Sequence, residues 1–208
     1  MQRQGICDKN YKMKGTRWDD HYARQARHER WLARSVFKLQ EIDKKYKLMC
    51  KGDRVLDLGC YPGSWSQYGI RRVGSEGDVI GIDLKRPDRL SSPNFKFIQE
   101  DILTVADERL RGEVGPRDVV LSDLAPQTTG IRLTDESRSL SLARRALEIA
   151  RLLLEKKGRF LCKVFEGEDL KAFQSDILRQ FSRVRLVRPK ATRKRSREVY
   201  VVGLDKVF

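Results

Sequence analysis

VLDLGCYPGSWSQ, residues 55–67, decides how this chain folds. Residues 54–58 predict a buried strand, Gly59 and Gly63 a turn, and a helix opens near Ser64. A glycine turn between strand and helix lets the backbone come close to a ligand, and the helix N-terminus points free amides at it. On a βαβ unit that is where nucleotide cofactors bind. Gly59 and Gly63 give G-x-x-x-G, whereas a dinucleotide pyrophosphate calls for G-x-G-x-x-G. S-adenosylmethionine, which carries no phosphate, suits such a turn better than NAD does. A plain tight connection would read the same way, so the rest of the chain has to decide.

The chain's 208 residues suffice for one domain with a substantial core but are short for two. No stretch approaches the roughly 18 apolar residues of a membrane span, and no apolar signal-peptide core opens the chain, so a soluble, cytoplasmic protein is expected. Cys7, Cys50, Cys60 and Cys162 show no C-x-x-C pairing, which suggests neither a metal site nor a disulfide framework.

The net charge of +15 is concentrated at the ends: residues 1–38 carry +6, residues 39–182 only +2, and residues 183–208 carry +7. Two basic blocks flanking a nearly neutral body give the electrostatic footprint of a polyanion binder if both lie on one face. Tyr11, Trp18, Tyr22, Trp31 and Phe37 interleave with the first block, as suits stacking on bases or ribose rings. A solubilising surface is the plainer alternative.

There is no internal repeat and no low-complexity segment. Residues 1–28 read as a weakly structured arm, and the division falls into a basic, RNA-contacting arm over 1–30 and a folded domain over 31–208. Helices are predicted over 33–46, 64–73, 103–111, 135–157 and 169–180, and strands over 54–58, 78–83, 95–98, 118–122, 159–164, 183–188 and 198–203. The longest helix carries Ala143, Leu147, Ala150 and Leu154 on one face and is expected to end on a left-handed Gly158. Apolar early strands alternating with helices predict a doubly wound α/β fold, a mostly parallel sheet covered on both faces. The last two strands, joined by a short basic loop, should pair antiparallel.

Ligands of such sheets bind outside the carboxyl ends of the strands. Asp83 ends the second strand, twenty residues after Gly63, where a carboxylate would accept from ribose hydroxyls. Asp101 follows the third and could accept from an adenine amino group; Asp123 ends the fourth within SDLAP, where a reactive methyl would sit. Asp57, inside the first strand, is assigned a structural role, bonding backbone amides of the turn. Any one of these could be a loop carboxylate, but three at successive strand ends beside the glycine turn mark a site.

DHYARQA, ARSVFKLQEID, VLDLGCYPGSWSQ, VIGIDL, SDLAPQTTG, FLCKVFEG and RPKATRKRSREVYVV together resemble the FtsJ/RrmJ-type ribosomal RNA ribose 2′-O-methyltransferases, in that order and over almost the whole chain. The resemblance implies a single-domain Rossmann-like fold, a seven-stranded sheet ending in a reversed strand, with S-adenosylmethionine as cofactor. It implies a catalytic Lys-Asp-Lys-Glu tetrad at Lys38, Asp123, Lys163 and Glu198, and cofactor contacts from Gly63, Trp65, Asp83, Asp101 and Asp123. The implied substrate is a uridine of large-subunit ribosomal RNA, methylated during late subunit assembly; nothing in the sequence demands a dimer, so a monomer is expected. The family loop usually reads G-A-A-P-G-G-W, and this chain departs from it at Cys60, Tyr61 and Ser64.

A ribose hydroxyl is a poor acid, so its proton must leave as the new bond forms, and a neutral, positioned amine can take it. In the tetrad that amine is Lys163, with Asp123 orienting it and with Lys38 and Glu198 positioning and tuning. Desolvation and a neighbouring cation favour a neutral amine, and an adjacent carboxylate opposes them. Lys163 interrupts an apolar run, FLC before it and VF after it, so it needs a buried partner or a task. An amino-group methyltransferase would carry D/N-P-P-Y where this chain has SDLAP. A cytosine-C5 enzyme would need a nucleophile such as Cys162, which alternates away from Lys163 on the strand. An NAD-dependent oxidoreductase is disfavoured by the glycine spacing. A non-catalytic ribosome-assembly factor that keeps the cofactor pocket, and a tRNA 2′-O-methyltransferase, are the remaining alternatives.

Overall fold

The computed structural model describes residues 21–208. Seven strands form one sheet: β1 (Arg54–Leu58), β2 (Asp78–Asp83), β3 (Phe95–Gln99), β4 (Arg117–Ser122), β5 (Leu154–Phe165), β6 (Phe181–Val187) and β7 (Glu198–Lys206), in the order β3-β2-β1-β4-β5-β7-β6. The first five run parallel, and β7 inserts between β5 and β6 antiparallel to both. This is the doubly wound fold with a reversed strand that the alternation of apolar strands and helices predicts.

Helices α1 (His21–His28), α2 (Val36–Tyr46), α3 (Ser64–Val73), α4 (Asp107–Glu113), α5 (Arg132–Leu153) and α6 (Leu170–Leu178) cover the sheet. Leu39 and Ile42 of α2 and Trp65 and Val73 of α3 pack with Val55, Leu121, Leu161, Tyr200 and Val202 on one face. The opposite face is filled from α5 and α6, by residues such as Leu147, Ile149 and Phe173, against Leu56, Val120 and Phe160. Alternate residues of each central strand feed the two layers, which is why those strands read as continuous apolar runs.

Several boundaries differ from expectation. Residues 21–28, assigned to a weakly structured arm, form α1, whose Ala26 packs against Val36, Phe37 and Ala191. Tyr11 and Trp18 lie outside the described residues. The helix expected over 103–111 is shifted to α4, because Asp101 instead closes a turn, accepting from Leu103 N at 2.9 Å while its carbonyl takes Thr104 and Val105 N–H. Helix α5 stops at Leu153, not residue 157, and Leu154 already belongs to β5. Lys157, at φ 64°, takes the left-handed position expected of Gly158. Gly158 is needed for space, since a Cβ there would stand 2.7 Å from the Glu155 carbonyl oxygen.

The docking of α2 matters most for the site. Asp43, 2% exposed, accepts from Met49 N (2.9 Å), Tyr68 Oη (2.7 Å) and Arg72 Nε (2.9 Å), binding the end of α2 to α3. Removing one partner from a buried, multiply bonded charge leaves the others unsatisfied. Asp43→Ala should therefore lower the unfolding free energy by about 3 kcal/mol in urea melts.

Candidate active site

The turn after β1 is built by its glycines. Gly59 has φ 77°, and a Cβ on it would stand 2.7 Å from Leu124 Cδ2, so the loops after β1 and β4 can touch only because no side chain is there. Gly63, at φ 110°, immediately precedes α3 and faces Leu32 and Pro87. Tyr61, the bulky departure from the family loop, is 41% exposed and lies over the Lys85 ammonium at 4.3 Å, so its ring needs no room in the core.

Beyond the strand ends lies a cleft of about 630 Å³, lined in part by Gly59, Asp83, Asp101 and Asp123, with Leu103 and Leu124 as apolar wall. Asp83 accepts from Tyr61 N at 2.9 Å and Lys85 N at 3.0 Å, which fixes its carboxylate beside the turn. Gly63 and Trp65 do not line this cleft. The Trp65 indole is buried, donates from Nε1 to the Ser35 carbonyl at 3.0 Å and packs on Tyr200, so its side chain ties α3 to the start of α2.

Behind the turn, Asp57 is fully buried. One carboxylate oxygen accepts from Ser66 Oγ at 2.6 Å; the other has no partner among the described residues. The structural role expected of Asp57 is thus carried through Ser66, at the start of α3. Burial first, then the nearby Asp123 and Asp83 charges, push this carboxyl up to about 7.

The second half of the site stands at the end of β5. Lys163, 5% exposed, donates to the Asp123 carbonyl at 2.6 Å and lies 3.0 Å from its Oδ1. Tyr200 pairs with Lys163 across the β5–β7 ladder and donates its hydroxyl to Asp123 Oδ1 at 2.8 Å. Burial holds that phenol well above its usual range, so it remains a donor. Lys38 reaches Glu198 at 2.7 Å, and its ammonium stands 5.6 Å from the centre of the Tyr200 ring. Lys38, Asp123, Lys163 and Glu198, distant in sequence, are thus gathered as two ion pairs around Tyr200. Glu198 opens an interior strand, not an edge.

Tyr200 escaped the sequence reading, although it stands two residues after Glu198 and strand alternation puts both on one face. Arg145 also escaped it: from α5 it donates to the carbonyls of Ile102 (3.0 Å) and Val105 (2.8 Å), holding the loop after Asp101. Cys162 points into the opposite core layer, and burial pushes its thiol up to about 12, which removes it as a nucleophile.

The family model for FtsJ-like methyltransferases matches residues 31–206. The chain belongs to that family. Among curated relatives, ribosomal RNA large subunit methyltransferase E of Desulfosudis oleivorans is 47% identical over 193 residues, 93% of each chain. The protein of that name from Methanothermobacter thermautotrophicus is 41% identical over 198 residues, 92% of this chain and 94% of its own. Among solved structures, a ribosomal RNA methyltransferase from Plasmodium falciparum superposes with a TM-score of 0.75 at 28% identity, over 85% of this chain and 99% of its own. Aeropyrum pernix fibrillarin, solved with natively bound S-adenosylmethionine, shares the fold at a TM-score of 0.55 and 17% identity, over 74% of this chain and 67% of its own.

The cofactor of this FtsJ-like methyltransferase is S-adenosylmethionine, and the cleft fits it. The molecule offers hydroxyl, amino and cationic groups, which are donors or positive charges. The cleft answers with the carboxylates of Asp83, Asp101 and Asp123 against apolar walls.

Asp57 also makes a pH prediction. Its folded value of about 7 lies above the ordinary 3.8, so the folded state binds the proton more tightly. Stability from this group is fully present below about pH 4 and lost as pH rises to about 7, by at most roughly 4 kcal/mol. Asn can still accept from Ser66 but cannot ionise. Urea melts should show Asp57→Asn gaining on wild type between pH 4 and pH 7, with a constant difference above that; an equal difference at pH 5 and pH 8 would contradict this.

Proposed function

We propose that this FtsJ-like methyltransferase transfers a methyl group from S-adenosylmethionine to a ribose 2′-hydroxyl in RNA, a uridine of large-subunit ribosomal RNA. The observation that carries this reading is the buried Lys163 amine, held by Asp123 at the end of β5, where Asp123 also lines the cofactor cleft. The relatives named for the large ribosomal subunit, at 40–47% identity, supply the substrate class.

The bound cofactor supplies an electrophilic methyl group on a sulfonium sulfur. The protein's task is to place the hydroxyl and remove its proton. Lys163 Nζ, as the neutral amine, accepts that proton. Asp123 fixes the amine through its carbonyl and carboxylate oxygens, and the Tyr200 hydroxyl holds that carboxylate in turn. Lys38 and Glu198, paired at 2.7 Å, position the ribose. Asp83 and Asp101, which line the cleft with Asp123, complete the cofactor contacts.

RNA approaches over basic chain. The 189–197 loop between β6 and β7 carries Lys190, Arg193, Lys194, Arg195 and Arg197. It is tied to α2 by Lys190 N donating to Glu41 at 2.8 Å and to the start of α2 by Arg34 donating to the Ala191 carbonyl. The protein acts as a monomer in the cytoplasm, where ribosomal subunits mature; among the described residues no helix is long and apolar enough to cross a membrane.

The test is methyl transfer from radiolabelled S-adenosylmethionine to isolated large ribosomal subunits. A 2′-O-methyl group should appear as an alkali-resistant dinucleotide after digestion. Lys163→Ala should retain cofactor binding and lose about 10²–10⁴-fold in rate. Label in an alkali-sensitive product would replace ribose with base methylation, and cofactor binding without transfer would favour the assembly-factor role.

A further inference from the structure

At the far end of the sheet from the cleft lies a second concavity of about 490 Å³, lined by Lys45, Lys47, Lys157, Arg159, Arg183 and Asp205 among others. The topology puts it there: β7 runs from Glu198 at the active site to Leu204 and Asp205 at this end, while β5 and β6 begin here. Helix α2 spans the two ends, with Lys38 paired to Glu198 at the active-site end and Lys45 near its other end. Two of the cations are already matched, Arg159 by Asp53 at 2.9 Å and Arg183 by Asp205 at 2.5 Å. Lys45, Lys47 and Lys157 are exposed and pair with no carboxylate among the described residues.

The backbone singles out the same place. Four non-glycine residues in the described chain have a left-handed conformation, and three of them, Lys47 (φ 52°), Lys157 (φ 64°) and Asp205 (φ 58°), line this concavity. Lys47 ends α2 at a position where glycine is the default. Both lysines thus present cationic head groups from backbone conformations in which glycine would be easier.

A basic row joins this concavity to the active-site rim. Val187 packs with the α2 layer and Val184 with the opposite one, so Arg183 and Arg185 lie on the α2 side of β6. They lead to Arg188 and the 189–197 loop, roughly 17 Å of strand from Arg183.

We infer that the concavity is a second anchor for the phosphodiester backbone of the RNA whose ribose is methylated, with Lys45, Lys47 and Lys157 as its contacts. This rests on the RNA substrate proposed above. Phosphate contacts of this kind add affinity and fix register without reading sequence.

The double variant Lys47→Gly, Lys157→Gly removes both head groups while easing the backbone, so loss of folding does not confuse the result. It should melt at the wild-type temperature or higher and bind S-adenosylmethionine as wild type does. Its binding to polyuridine should weaken, the slope of log affinity against log salt falling by about 0.7 per lysine. Its KM for large ribosomal subunits should rise severalfold with kcat unchanged. A folded variant with wild-type polyuridine affinity, salt slope and KM would overturn the anchor. Failure of the proposed function would look different: wild-type protein would bind polyuridine, lysine-dependently, yet transfer no label to subunits.

Discussion

An amine that leaves water at the end of a central strand must recover its hydration from fixed oxygens. At Lys163 two of them belong to one residue, the carbonyl and carboxylate of Asp123 at 2.6 and 3.0 Å. That demand explains much of the architecture. Strand β4 must lie beside β5 so that Asp123, just beyond Ser122, comes up against Lys163; the register pairs Ser122 with Cys162. Strand β7 must run backwards beside β5, because only then does Tyr200 face Lys163 and reach Asp123 while Glu198 arrives at the same rim. The reversed strand is thus part of the site's geometry as well as a way to finish the sheet.

The second ion pair depends on a different element. Lys38 belongs to α2, which meets the sheet through Leu39 and Ile42 and is held to α3 at both ends. Near its start, Trp65 and Ser64 bond Ser35; at its end, Asp43 bonds Tyr68 and Arg72. The glycine turn that opens α3 therefore places Lys38 as well as the cofactor cleft. A loss at Asp43 would reach the Lys38–Glu198 pair through this helix, without touching either side chain.

Much of this is written in the sequence where local pattern and topology agree. The run from 55 to 67 has one economical conformation, and Asp83, Asp101 and Asp123 are readable because parallel strands leave their ends at one edge. Other features depend on contacts between distant segments. EVYVVG reads as any interior strand, and only the pairing of Tyr200 with Lys163 makes its hydroxyl part of the site. Trp65 follows the turn as a ligand contact would, but Ser35, thirty residues earlier, takes its indole N–H. Gly158 looks like the cap that ends α5, whereas the left-handed residue is Lys157 and the glycine makes room for the Glu155 carbonyl.

One protein has to hold a cationic cofactor and a polyanionic substrate side by side, and the distribution of charge separates the two tasks. The acids are recessed and already engaged: Asp83 with the amides of Tyr61 and Lys85, Asp101 with that of Leu103, Asp123 with Lys163 and Tyr200. Asp57, which has a buried oxygen without a partner among the described residues, is pushed towards retaining its proton near neutrality. Each arrangement reduces the negative field that reaches the rim, where exposed cations face water that screens over about 8 Å at physiological salt. Partly buried carboxylates such as Asp83, Asp101 and Asp123 are screened less by that salt, so they continue to attract a cofactor cation under conditions that weaken the hold of surface cations on a polyanion. Raising the ionic strength should therefore act mainly on the polyanion, because its binding site is a surface and the cofactor's is a cleft.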